Sequence, residues 1–151
     1  MKNKILKTLG IILFVLISLY IYLNFDYKSS GRKEARIKIG NATVNVKIAD
    51  NPYTRERGLS GTQNLNENEG MLFIFDTPNK YEFWMKEMNY PLDILWIDEN
   101  KNIIYIKNNA TPESYPEIFR PNNSALWILE VNSDFIEKNN VSLGEKVEIN
   151  I

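Results

Sequence analysis

The sequence contains no histidine and no cysteine. Without histidine, Ser-His-Asp and Cys-His catalysis are excluded, and so is histidine-based zinc binding. Without cysteine there is no disulfide framework and no thioether lipid attachment. The seven glycines are scattered, and no glycine-rich phosphate loop is formed. No run of carboxylates has the spacing of a calcium loop. No metal and no cofactor are expected. A hydrolase built on this chain would need paired carboxylates or a Ser-Lys pair.

What is present begins with an apolar run. Lys2, Lys4 and Lys7 lead into residues 5–25, a stretch of 21 residues. A membrane helix needs ~20. The run ends in Tyr20-Ile21-Tyr22-Leu23-Asn24-Phe25 rather than in the small residues of a cleavage site. Tyr20 and Tyr22 suit a membrane interface. Residues 1–25 are therefore expected to be an uncleaved transmembrane anchor, with a cleaved signal or a core helix as alternatives. The basic flank favours a single-pass, N-inside orientation in the cell membrane, with the rest of the chain extracytoplasmic. Residues 26–34 read as a polar linker carrying Ser29, Ser30 and Gly31. Residues 35–151 read as the folded domain.

Charge separates along the same line. Residues 1–33 hold six basic and one acidic residue, and residues 34–151 hold 12 basic and 18 acidic. An acidic domain argues against nucleic acid as a partner. It also argues against a domain lying flat on an anionic membrane. Four Asn-x-Ser/Thr sequons occur, at Asn41, Asn109, Asn122 and Asn140, as chance allows in an asparagine-rich chain.

Within the domain, Ile37 and Ile39 alternate with charged residues, Gly40-Asn41 signals a turn, and Ala42, Val44, Val46 and Ile48 alternate again. The pattern predicts a hairpin with one wet face. Asp50-Asn51-Pro52 opens a short helix that Gly58 closes. Met71 to Phe75 is a continuous apolar run, expected to be a fully buried strand. Phe83 to Met85, Leu92 to Ile97, Ile103 to Ile106, Leu126 to Val131 and Val147 to Ile151 read as further strands. Ser133 to Asn139 reads as a second short helix. Roughly eight short strands with closely spaced turns predict a mainly β, compact β-barrel-like domain with two short helices.

Asp93 sits inside an otherwise apolar strand, where a carboxylate is costly unless paired. Arg55, Arg57 and Lys86 are its candidate partners. One reading is a structural carboxylate pinning a helix or loop; the other is a ligand-contacting or catalytic acid. Pairs of Asp93 with Asp98, Glu82 or Glu130 lack diagnostic spacing. Arg55 and Arg57 lie two apart on a short helix and point in different directions, so at most one is expected to reach Asp93. Phe73, Phe75, Phe83, Trp84, Met85, Met88 and Trp96 form an aromatic and thioether cluster. It serves as core packing or lines a pocket for a sugar ring or an apolar ligand.

These motifs together resemble the domain-of-unknown-function 192 family. The resemblance rests on Ile48-Ala49-Asp50 with Arg55-Glu56-Arg57-Gly58-Leu59, on Gly70 to Phe75, on Phe83-Trp84-Met85-Lys86, and most strongly on Pro91 to Asp98. Leu129-Glu130-Val131, Ala110 with Pro112, and Val141 with Gly144 to Val147 are weaker matches. Ser60, Glu87-Met88 and Glu145 depart from the family pattern. The resemblance implies a β-barrel-like domain, exported or membrane-tethered, and no activity. It carries a polar signature onto Arg55, Arg57, Lys86, Asp93 and Asp98. The expected function is a non-catalytic module that binds an envelope ligand through Arg55, Arg57, Trp84, Lys86, Asp93 and Asp98. The alternatives are a carboxylate-dependent envelope hydrolase using Asp93 and a purely structural or assembly domain.

Overall fold

The computed structural model describes residues 10–20 and 33–151. The chain divides into two units, Met1–Arg32 and Lys33–Ile151. In the first, residues 10–20 are helical (α1), with exposed apolar side chains such as Ile11, Phe14 and Leu16. The remainder of the expected anchor, and residues 26–32 of the expected linker, lie outside the described residues. Among the described residues no helix is long and apolar enough to cross a membrane.

The second unit is mainly β. Its elements run β1 (Glu34–Ile39), β2 (Ala42–Ala49), α2 (Pro52–Arg57), β3 (Glu69–Asn79), β4 (Leu92–Ile97), β5 (Ile103–Ala110), β6 (Ala125–Asn132), α3 (Phe135–Asn139) and β7 (Val147–Asn150). The seven strands form one sheet in the order β5-β4-β6-β3-β2-β1-β7. β2 and β3 are parallel, joined by a crossover through α2, and the other neighbours are antiparallel. The outer strands approach each other at one end, where Asn102 bridges Lys146. There the Val147 N–H donates to the Lys101 carbonyl at 2.9 Å and the Ile103 N–H to that of Glu145 at 3.0 Å. The sheet is thus curled into a half-barrel, pinned at one corner.

Both faces of the sheet's centre are covered. The concave face buries Ile37, Val44, Leu72, Leu95, Ile97, Leu129 and Val131 beneath Phe135 and Ile136 of α3. The outer face buries Met71, Phe73, Ile94, Trp96 and Ile128 beneath Leu59, Met85 and Phe119. Two-sided burial explains why β4 is apolar at nearly every position. The hairpin of β1 and β2 alternates buried and exposed residues, as its sequence predicts.

The expected strand at Phe83 to Met85 is not a strand. Phe83 makes one isolated bridge to Phe119, and its neighbours lie in a covering segment across the outer face. Tyr81, Phe83 and Met85 point inward while Glu82, Trp84 and Lys86 are exposed. The period-2 pattern was real, but it reflects an extended loop packing one edge downward.

α2 forms where the sequence places it. The Asn51 side chain accepts from the Thr54 N–H at 3.0 Å, and the Thr54 hydroxyl lies 3.3 Å from the Asn51 N–H that donates to it. Gly58 ends the helix at φ 49°. A Cβ on Gly58 would meet Phe73 Cζ at 3.3 Å. The position therefore needs glycine for both backbone and space.

Candidate functional site

Two carboxyl groups are buried in the sheet, Asp93 at 0% exposure and Glu130 at 6%. Their surroundings differ. Asp93 lies on the concave face, where one Oδ accepts from the Asn109 N–H at 2.8 Å and the other from the Ile136 N–H at 2.9 Å. Asn109 occupies an irregularity in β5, where the register slips against β4 between Leu92 and Ile94. Its φ of 47° turns the N–H out of the ladder. Ile136 lies in the first turn of α3, whose own N-cap Asp134 makes no side-chain cap. Asp93 thus satisfies a bulge and a helix start that would otherwise leave buried N–H donors unpaired. Burial pushes its carboxyl above the usual range, the charge of Asp134 adds to that, and the backbone N–H groups of Asn109, Ile136 and Phe135 oppose it.

Glu130 lies on the outer face, opposite Met71 and Ile94 of the adjacent strands. Its Oε2 is buried and has no hydrogen-bond partner. Burial alone pushes its carboxyl up to about 8, so it holds its proton at neutral pH.

Glu130 faces a cavity of about 370 Å³, within the range of small-molecule sites. α2 and the turn after it supply Arg55, Gly58 and Ser60, and β3 supplies Phe73 and Phe75. The covering segment supplies Tyr81, Phe83, Trp84 and Met88. The wall is a connected aromatic surface. Phe73 meets Phe83 edge-on with centroids 4.8 Å apart, and Phe75 stacks on Tyr81 with planes within 15°. Arg55 donates to the Ile74 carbonyl at 2.7 Å, and its guanidinium lies 5.0 Å from the Phe75 centroid. Glu82 is engaged by Arg120 at 3.2 Å. Trp84 stays 48% exposed at this cavity.

The sequence candidates therefore separate. Arg55, Arg57 and Trp84 line the cavity. Asp93 does not, and neither Arg55, Arg57 nor Lys86 pairs with it, because backbone N–H groups take both its oxygens. Lys86 is exposed and does not line the cavity; its carbonyl accepts from the Ser60 hydroxyl at 3.0 Å. Asp98 organises the turn between β4 and β5 by accepting from the Asn102 N–H at 2.8 Å. Glu130, weighed from sequence only as a pair for Asp93, is the buried carboxyl at this cavity. The signal was available, since Glu130 interrupts the apolar run Leu126 to Val131 just as Asp93 interrupts its own. Among the described residues no group of three or more acidic side chains is placed to hold a metal ion.

A second cavity, of about 330 Å³, is lined by polar residues including Asn68, Asn132 and Lys138. Several of its polar groups are already engaged. The Asn132 amide donates to the Leu65 carbonyl at 2.6 Å, and Lys138 pairs with Glu67 at 3.0 Å.

Fold and site together define a small curled-sheet domain with an aromatic, ligand-sized cavity on its outer face. The family model DUF192, described as uncharacterised ACR, matches residues 35–149, and the chain belongs to that family. A UPF0127 protein of Thermococcus sibiricus is 26% identical over 106 residues, covering 70% of this chain and 66% of that relative, just under two thirds of its length. Two solved structures share the fold at a TM-score of 0.74. One, from Sinorhizobium meliloti 1021, is described provisionally as a transcription regulator; it is 28% identical, covering 78% of this chain and 95% of its own. The other, from Novosphingobium aromaticivorans, is of unknown function; it is 27% identical, covering 79% and 87%.

Proposed function

We propose that the domain is a non-catalytic binding module for a small amphipathic molecule, held in the outer-face cavity. The observation that carries this reading is the unpartnered Oε2 of Glu130, buried beside an aromatic wall. Native proteins rarely leave such an atom unpaired, and a ligand group would satisfy it. A purely structural domain would need no such cavity. Asp93 offers no comparable opening for an envelope hydrolase: it is fully buried and both oxygens are occupied. We further propose that residues 1–25 tether the module to the membrane with the domain extracytoplasmic. The apolar run of residues 5–25 and its lysine flank support that placement.

The test is a fragment screen by ligand-observed NMR on the full-length protein in detergent. Saturable hits that Phe75→Ala and Glu130→Gln weaken would support the reading. A screen without hits across apolar, cationic, anionic and saccharide fragments would remove its basis.

A further inference from the structure

The surroundings of Glu130 restrict the chemistry of the ligand. Its buried oxygen accepts nothing from the protein, and none of the five ion pairs among the described residues involves it. In its ionised form that oxygen is completed only by a donor. A donor that brings positive charge offsets the burial of the carboxylate better than a neutral one. The walls favour the same choice, because aromatic faces attract cations. One cation already rests there, the Arg55 guanidinium over Phe75. Trp84 makes no ring or cation contact of its own among the described residues, so its face is available.

Glu56 and Arg57 also line the cavity but are exposed, and apart from Glu130 its other polar side chains are engaged, which argues against a hydroxyl-rich ligand. The Ser60 hydroxyl donates to the Lys86 carbonyl, Glu82 pairs with Arg120, and Arg55 donates to the Ile74 carbonyl. Away from the exposed Glu56 and Arg57 a saccharide would find few partners for its hydroxyls. An anion at the buried end would meet Glu130, while Arg55 and Arg57 also line the cavity. The volume, about 370 Å³, suits one ring-sized body.

We propose that the cavity takes a ligand carrying a protonated amine on a compact apolar or aromatic body, with the ammonium donating to Glu130 and the body lying against Phe75, Phe83 and Trp84. This rests on the cavity being the binding site. Pairing with the ammonium holds Glu130 as the carboxylate in the complex.

The test is titration of the full-length protein with benzylamine, benzyl alcohol and benzoate, followed by NMR. Benzylamine is expected to bind saturably and more tightly than benzyl alcohol. Glu130→Gln should weaken benzylamine roughly tenfold or more and leave benzyl alcohol unchanged. Benzyl alcohol or benzoate binding as tightly as benzylamine to the native protein would overturn the amine inference and leave the cavity reading standing. That comparison needs no variant, so it stands even if Glu130→Gln fails to fold. No binding by any of the three would overturn both.

Discussion

Asp93 and Glu130 lie on adjacent strands, one residue apart in register, and point to opposite faces of the same sheet. Asp93 pairs across the ladder with Val131, and Ile94 pairs with Glu130. On the concave side the carboxylate is fully hydrogen-bonded to backbone. On the outer side one oxygen is left with no partner. Two acids of similar chemistry, on neighbouring strands of one sheet, have therefore been put to different uses.

If Asp93 serves architecture, its loss should be felt at the two N–H groups it holds. Asp93→Asn places an amide N–H₂ where a donor already points. The expected cost is roughly 2–4 kcal/mol, from an unpaired buried N–H and a weakened second bond. Hydrogen exchange should show lost protection at Asn109 and Ile136 first, before the centre of β4. Unchanged protection at both amides would contradict this role.

Stability should fall as pH rises, and Glu130 sets the window. Its carboxyl titrates near 8 in the folded chain against an ordinary 4.5, because burial disfavours the charged form. Between those values the native state keeps a proton that the unfolded chain has released. The contribution is therefore full below the unfolded value and is lost as pH climbs through the folded one. The slope is about 1.4 kcal/mol per pH unit, so the total loss is up to roughly 5 kcal/mol. Tyr90 lies outside this window: burial raises its hydroxyl above the ordinary tyrosine value, its bond to Thr62 opposes, and the charges of Glu130 and Glu69 add to the rise. The raised carboxyl of Asp93 adds a change of the same sign as Glu130. Urea melts across this range should show the decline in the native protein. Most of it should disappear in Glu130→Gln.

Gly58 links the helix end to the cavity wall. Gly58→Ala forces a side chain onto a φ of 49° and brings its Cβ to 3.3 Å from the Phe73 ring. A loss of about 1–3 kcal/mol is expected, read as a lowered Tm. Phe73 should shift with it, moving the aromatic signals of the cavity. A Tm equal to that of the native protein would show that the turn relaxes without strain.

The proposed topology can be tested cleanly because the chain has no cysteine of its own. Leu143→Cys places a single thiol at a residue 63% exposed. In intact cells a membrane-impermeant maleimide should label it. Labelling only after lysis would put the domain inside the cytoplasm and overturn the proposal.

The strands with strong periodicity were legible from sequence, and so were the α2 caps, because these depend on neighbouring residues alone. The parallel pairing of β2 with β3 was not, since nothing local encodes which edge a crossover returns to. The segment around Phe83 misled because an extended loop that packs one edge inward shares the period of a strand. For the site, the apolar context of Asp93 marked a buried carboxylate in need of partners and left its structural and ligand-contacting roles open. It could not reveal that the partners were backbone N–H groups from Asn109 and Ile136, residues 16 and 43 positions away. Arg55 and Trp84 were legible as candidates, whereas Glu130 was weighed only as a pair for Asp93 and lacked diagnostic spacing. Its own setting carries the same signal as that of Asp93, a carboxylate inside the apolar run Leu126 to Val131.

The most direct test compares urea midpoints of the native protein, Asp93→Asn and Glu130→Gln near the folded pKa of Glu130, about 8. Asp93→Asn should lower the midpoint clearly. Glu130→Gln should leave it unchanged or raise it, because the native carboxyl is kept at a cost to stability. A large loss in Glu130→Gln with none in Asp93→Asn would reverse the assignment, making Glu130 the architectural group and removing it from the ligand site.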